Sequence, residues 1–149
     1  MNSFNPDFFA KINDKMNTFN LDSFAKINAD RKLFSSTTVK FDEETVTLYD
    51  GFEFDDADGD NIHEQDEYYT IYCRDIDKIL SVMPDEYKNK SILSEYNGAG
   101  DYYDAIREEN KKMFFLCILK CYKLGDKFNH LLKPLEENGI YYQFKESRY

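Results

Sequence analysis

Apolar and polar residues alternate along the middle of the chain, between Thr37 and Cys73. A period of two is typical of half-buried antiparallel strands. Four apolar sets mark the predicted strands: Val39 with Phe41, Val46 with Leu48, Phe52 with Phe54, and Tyr69 with Ile71 and Cys73. Residues 37–73 are therefore expected to form a β-meander.

Two short acidic segments separate these apolar sets and predict turns. Asp42–Glu44 lies between the first and second sets, and Asp50–Gly51 lies between the second and third. A three-residue loop at the second turn would pair Leu48 with Phe52. That register gathers the apolar side chains on one face, so we expect a hairpin at Asp50–Gly51.

An internal repeat begins the chain, where Phe4–Asn13 recurs fifteen residues later as Phe19–Asn28, with eight of ten positions identical. In each copy an asparagine, Asn5 or Asn20, is suited to cap a helix. Apolar residues then follow three or four positions apart, which is helical spacing. The repeat predicts two short helices in an N-terminal segment over residues 1–34.

Helical spacing returns after the meander, and residues 75–149 are expected to be mainly helical. The predicted elements are a helix over Asp75–Met83, a helix from the N-cap Asp101 to about Leu124, a helix over about Lys127–Lys133, a turn beginning at Pro134 and a strand over Ile140–Phe144. The whole pattern describes a single α+β domain over residues 1–149. It has two N-terminal helices, an antiparallel meander of four to five strands, and C-terminal helices packed on one face of the sheet.

Length and composition agree with one domain that has its own core. The chain has 149 residues, and 17% of them are aromatic. The longest apolar run, Met113–Leu119, is far shorter than the ~20 residues that span a bilayer, so no membrane span is expected. The chain does not begin with the pattern of a secretory signal, and three cysteines do not make a disulfide framework. These features favour the cytoplasm.

Charge is distributed unevenly along the chain. Residues 41–109 carry 21 Asp and Glu against five Lys and Arg, within a chain whose net charge is −10. Residues 1–40 and 110–149 carry net charges of +2 and +4. The acidity therefore belongs to the middle of the chain. Direct binding of nucleic acid is disfavoured, because its usual footprint is a basic face.

The densest acid lies between Asp50 and Glu67, where nine carboxylates occur without a lysine or arginine. Like charges repel one another, so such a run either is solvated and keeps the domain soluble or serves binding. On a rigid β scaffold, a row of carboxylates can fill the groove that a basic protein offers to nucleic acid. The candidate partner-binding residues lie in or beside an acidic loop over residues 55–67: Asp55, Asp56, Asp58, Asp60, Glu64, Asp66, Glu67 and Tyr68.

The same loop resembles an EF-hand calcium loop over twelve residues. Read from Asp56, carboxylates occupy positions 1, 3, 5, 9 and 12. Asn61 stands where the sixth position usually has glycine, and the flanking patterns predict strands in place of helices. We therefore expect no cofactor and keep Ca²⁺ binding as the alternative. Its candidate ligands are Asp56, Asp58, Asp60 and Glu67.

Signals of catalysis are weak. Cys73 could act as a nucleophile with His63 or His130 as its base, but a cysteine on a half-buried strand is ordinarily a packing residue. The sequence thus predicts a non-enzymatic acidic protein that binds and inhibits a basic partner, such as a nuclease or another nucleic-acid-handling protein. Inhibitors of the immunity or anti-defence type are similar in size and charge, and some act as nucleic-acid mimics. A calcium-binding module is the first alternative and a hydrolase is the second.

Overall fold

A single antiparallel sheet dominates the computed structural model, which describes residues 18–27, 32–55 and 62–148. Side chains are described for residues 18–22, 35–53 and 63–148. Each strand pairs with its neighbours in chain order. The strands are β1 (Thr18–Ile27), β2 (Lys32–Phe41), β3 (Thr45–Asp55), β4 (Ile62–Tyr72) and β5 (Tyr142–Arg148).

The helices lie between β4 and β5 in the sequence, which makes the protein an α+β fold as predicted. They are α1 (Ile76–Val82), α2 (Ala99–Ala105), α3 (Glu109–Lys123) and α4 (Asn129–Glu137), with shorter 3₁₀ segments at Cys73–Asp75, Asp85–Lys88 and Lys90–Glu95. Within the described ranges, every helix is too short or too polar to cross a bilayer.

The core lies between the helices and one face of the sheet, which we call the inner face. Val39, Leu48 and Ile71 alternate with polar residues and are fully buried on this face. The rings of Phe41 and Phe115 contact each other edge to face, with centroids 6.0 Å apart, so α3 packs directly on β2. The predicted packing of C-terminal helices on one face of the sheet is therefore confirmed.

The predicted second N-terminal helix is wrong, because its residues form β1. Phe19 and Leu21 are buried and Asn20 is exposed, which is the alternation of a strand. The Phe19 ring packs edge to face on Phe115, with centroids 5.4 Å apart. Pairing with β2 and this core contact outweigh the local helical pattern. The predicted first helix, in residues 4–16, lies outside the described residues.

The predicted turn at Asp42–Glu44 is confirmed, whereas the predicted hairpin at Asp50–Gly51 is wrong. Strand β3 continues through both residues, and Leu48 pairs with Val39 and Tyr69 instead of Phe52. Asp50 tolerates a central strand because its buried carboxylate accepts a hydrogen bond from Thr37 Oγ1 at 3.1 Å. Lys127 Nζ lies 2.6 Å from the second carboxylate oxygen.

The predicted long helix from Asp101 to Leu124 is divided into α2 and α3. Gly98, with φ of 80°, precedes α2, so Asp101 lies inside the helix instead of capping it. Residues 106–108 separate the two helices. The break allows α3 to direct Lys111 toward the turn between β2 and β3, where its ammonium donates to two backbone carbonyl oxygens at 3.2–3.3 Å.

The remaining predicted boundaries shift by a few residues. The helix expected over Asp75–Met83 is α1, whereas the turn expected at Pro134 is part of α4, which has this proline inside it. The last strand begins at Tyr142 and runs beyond Phe144. The acidic loop expected over residues 55–67 is shorter, because β4 begins at Ile62.

Candidate interaction surface

The sheet face opposite the helices, which we call the outer face, carries the predicted acidic residues that the structure positions together. Three directly opposed pairs of β3 and β4 follow one another on this face: Tyr49 with Tyr68, Gly51 with Asp66, and Glu53 with Glu64. Alternation along both strands brings them to the same side, because successive side chains point to opposite faces. We call these six residues the acidic face.

Tyr49 crosses over Gly51 and binds Asp66. Its hydroxyl donates a hydrogen bond of 2.6 Å to Asp66 Oδ1. A Cβ atom at Gly51 would lie 2.0 Å from the Tyr49 hydroxyl oxygen and 2.8 Å from Asp66 Oδ1. Glycine is therefore the residue that leaves room for this hydrogen bond, and the bond fixes the direction of the Asp66 carboxylate.

Burial and the hydrogen bond to Asp66 raise the pKa of Tyr49 above its ordinary value. The phenol consequently keeps its proton and remains a donor to Asp66. The Tyr49 ring also contacts that of Tyr68, with centroids 5.0 Å apart and planes inclined by 41°. The two rings form an aromatic platform beside the carboxylates.

Glu53 and Glu64 face each other across the two strands. A hydrogen bond with Glu53 raises the pKa of Glu64, and desolvation and the negative charges of Glu53 and Asp66 act in the same direction. The hydrogen bond favours the protonated form of Glu64, and like-charged carboxylates on directly opposed residues also repel each other. A cation placed between them would relieve this repulsion.

A small depression of about 80 Å³ lies within the acidic face, and its lining residues are Ser36, Tyr49, Gly51, Phe52, Glu53, Glu64 and Asp66. Ligand pockets for small molecules commonly measure roughly 300–1,000 Å³. The depression is therefore suited to the end of one side chain, such as a lysine ammonium or an arginine guanidinium.

The carboxylates of the acidic face differ in their surroundings from Asp50 on the inner face. Asp50 is neutralised by Lys127. In the described part of the chain, no lysine or arginine forms an ion pair with Glu53, Glu64 or Asp66. Asp50 is therefore compensated within the fold, whereas the described residues place no such cation beside the carboxylates of the acidic face.

The eight partner-binding residues predicted from the sequence do not all lie on the same face of the sheet. Glu64, Asp66 and Tyr68 lie together on the outer face. Glu67 lies on the inner face, where its carboxylate accepts hydrogen bonds of 3.1 Å from Tyr69 and Gln65. The expected single patch is thus split, because residues 62–67 are in a strand and alternate between faces.

The other predicted residues lie at or beyond the ends of the described ranges. Asp55 is the last residue of β3 and its side chain is not described. Asp56, Asp58 and Asp60 lie outside the described residues. Of the four predicted calcium ligands, only Glu67 can therefore be placed. In the described ranges, no group of three acidic, histidine or cysteine side chains is arranged to hold a metal ion.

Sequence reasoning missed Tyr49 and Glu53 as site residues. The hairpin predicted at Asp50–Gly51 made Tyr49 a loop residue and removed Glu53 from the neighbourhood of Glu64. A continuous β3 would have given the observed register, because Val46 opposite Ile71 leads, residue by residue, to Glu53 opposite Glu64. The sequence contains a signal for this continuous strand, because Val46, Leu48 and Asp50 lie at every second position. Asp50 was instead interpreted as a turn residue.

The residues considered for catalysis are placed apart or buried. Burial is the main cause that raises the pKa of the Cys73 thiol, which donates to the Asp42 carbonyl oxygen at 3.7 Å. His63 lies near the opposite end of β4, about 33 Å away at the rise of a strand. Burial raises the pKa of Cys117 and of Cys121 to about 12. These thiols are therefore poor nucleophiles at neutral pH.

No protein-family model, curated protein or solved structure matches the chain.

Proposed function

We propose that this chain is a non-enzymatic acidic protein that binds a basic partner through the acidic face and inhibits it. The observation that supports this function is the row of opposed pairs on the outer face. It places three carboxylates and two tyrosines side by side on neighbouring strands. Carboxylates recognise lysine and arginine, and tyrosine faces attract the same cations.

The spacing of the carboxylates favours a partner that handles nucleic acid, such as a nuclease. Glu64 and Asp66 are two residues apart on β4, which corresponds to about 6.8 Å along a strand. One strand of DNA likewise carries a closely spaced row of negative charges, with one phosphate for about every 3.4 Å of helix axis. A groove that binds phosphates can accept such a row in their place. Three unpaired thiols, Cys73, Cys117 and Cys121, favour the cytoplasm as the place of binding.

The first test identifies the partner by comparing two baits. Wild-type protein and a variant with Glu53→Gln, Glu64→Gln and Asp66→Asn are used to capture proteins from the native cell. We expect a basic protein to be retained by the wild type and lost with the variant. A second variant, with exposed Asp101→Asn, Asp104→Asn and Glu137→Gln on α2 and α4, removes the same number of charges elsewhere and should capture the partner normally.

The second test measures inhibition and association with the purified partner. Neutralising the acidic face should slow association and flatten its dependence on salt, because rim and surface charges act mainly on the association rate. The partner should also regain activity on nucleic acid in the presence of the variant. If the variant associates as fast as the wild type at low salt, the acidic face only keeps the protein soluble and the proposed function is wrong.

A further inference from the structure

Among the described residues, strand β5 is an edge of the sheet. In the described part of the chain it pairs only with β4. The side chains of residues 143–146 are exposed, and Phe144 leaves 49% of its surface in solvent. An edge strand presents unpaired backbone N–H and C=O groups that readily pair with another strand. An exposed phenylalanine on such an edge favours pairing with a second polypeptide.

A cleft opens on the inner face beside β5. It encloses about 620 Å³ between the strand and α4 and is lined by Tyr69, Leu132 and Phe144, with Lys133 and Glu136 among the polar residues. The Phe144 ring lies against Tyr69, with centroids 5.1 Å apart. A strand added to β5 would project its inner-face side chains toward this cleft.

We propose that β5 pairs in the antiparallel direction with β5 of a second copy of this chain, about a two-fold axis at Phe144. The register places Phe144 opposite Phe144, Gln143 opposite Lys145, and Tyr142 opposite Glu146. Every pair is compatible, because the aromatic rings meet at the centre and each charge faces a neutral hydrogen-bonding side chain. The two sheets become one sheet of ten strands.

Registers centred on the C-terminal side of Phe144 are unfavourable for this sequence. A two-fold axis at Lys145 would place lysine opposite lysine, and an axis at Glu146 would place glutamate opposite glutamate. In an antiparallel pair, directly opposed residues lie on the same face of the sheet, whereas neighbouring residues of one strand lie on opposite faces. The two-fold axis therefore always passes between two copies of the same residue. The charges on β5 thus disfavour both registers centred after Phe144, and the axis at Phe144, unlike one at Gln143, also brings the two exposed phenylalanine rings together.

The dimer would also keep the two acidic faces apart on the same side of the sheet. Asp66 is separated from its copy by three strand spacings and six residues, which correspond to about 25 Å. This distance exceeds the Debye length of about 8 Å at physiological ionic strength, so repulsion between the faces is screened. Two equivalent faces on one surface could bind one extended basic partner twice, a consequence that rests on the proposed function.

The first experiment is sedimentation equilibrium of the purified chain. We expect a mass twice that of the 17.7 kDa chain. Phe144→Asp should give the mass of one chain, because two carboxylates would oppose each other on the axis. Leu124→Asp, which changes another exposed apolar side chain at 44% exposure, should leave the dimer intact. A wild type that remains monomeric at several hundred micromolar overturns the proposal.

The second experiment tests the register with Phe144 in place. Gln143→Cys and Lys145→Cys variants are prepared separately, mixed and oxidised. Opposed Cα atoms lie about 4.5–5.5 Å apart, within disulfide range, whereas each residue is roughly 8 Å from its own copy. The mixture should form cross-linked dimers that neither variant forms alone. Cross-linking of either variant alone, or none in the mixture, contradicts this register.

These experiments are independent of the proposed function. Dimerisation can fail while a monomer still binds its basic partner through the acidic face. Conversely, a dimer whose acidic face binds nothing would contradict the proposed function alone. A monomer that adds an extended peptide from another protein to β5 would contradict the second-copy proposal and assign the edge to that peptide.

Discussion

Gly51 is confined by two side chains of the acidic face. A methyl group there would overlap the Tyr49 hydroxyl and press on Asp66. We expect Gly51→Ala to lower the free energy of unfolding by about 1–3 kcal/mol, the usual range for overpacking a filled site. Urea denaturation provides the measurement. Combining it with Tyr49→Ala should reduce the additional loss, because the alanine methyl group would then have space.

The matched control is Gly100→Ala in α2. A Cβ atom at Gly100 meets no other atom within 4 Å, and the residue is helical. Alanine is favoured over glycine in helices by roughly 0.5–1 kcal/mol, so this variant should be more stable than the wild type. If Gly51→Ala and Gly100→Ala changed the free energy of unfolding by the same amount, the contact of Tyr49 with Gly51 would not be the reason that position 51 requires glycine.

Glu64 predicts a dependence of stability on pH. Its pKa is raised in the folded state by Glu53, so the folded protein loses stability as pH rises from the unfolded-state pKa through the folded-state pKa. Glu64→Gln should therefore raise Tm at pH 7. The gain should disappear below about pH 4, where the glutamate is protonated in both states. Glu137→Gln, an exposed change on α4, should leave Tm nearly unchanged at both values.

At the scale of elements, Lys111 connects α3 to the turn between β2 and β3. Its ammonium donates to the carbonyl oxygens of Asp42 and Glu43, and its side chain is 10% exposed. Lys111→Met would leave these carbonyls without their donor, so we expect unfolding free energy to fall by about 1–3 kcal/mol. Lys123→Met removes a surface ion pair with Glu95 at the end of the same helix and should cost less than about 1 kcal/mol.

The sequence predicted the strands well where side chains alternate between core and solvent. Val39, Leu48 and Ile71 were assigned to the correct face because each is flanked by polar residues. The sequence-based prediction was wrong at Asp50 and Gly51, because the turn preference of these residues is a local property. The contacts that hold Asp50 in the strand come from Thr37 and Lys127, which lie 13 and 77 positions away in the sequence. The prediction was wrong at β1 for the same reason, because the strand depends on pairing with β2.

The sequence identified several residues of the candidate site but predicted their arrangement only in part. Glu64, Asp66 and Tyr68 were identified from charge and spacing, and the structure brings them together. Glu53 was missed because its position depends on the register of β3 with β4. Glu67 was included although the alternation of β4 directs it to the inner face. Charge can therefore identify an acidic segment, but register decides which carboxylates act together.

At the scale of the whole molecule, the buried core and the acidic face lie on opposite sides of the same sheet. The inner face and the helices form the core, in which buried charge is compensated by contacts such as Lys127 with Asp50. The acidic face lies on the opposite side of the same strands. Because the core holds β3 and β4 in register, the carboxylates keep a fixed spacing without ordering a loop. Such preorganisation lowers the entropy cost of binding.

The net charge of −10 leads to the last prediction, which separates general screening from calcium binding. Screening of like charges should raise Tm with either divalent cation, so Ca²⁺ and Mg²⁺ at 1 mM should act equally. A calcium site with a Kd near 10 μM would instead add about 2.7 kcal/mol, or roughly 5 °C or more in Tm, with Ca²⁺ alone. We expect equal shifts in thermal unfolding. A Ca²⁺-specific shift that Asp58→Asn abolishes would favour the calcium-binding module over the interaction protein proposed above.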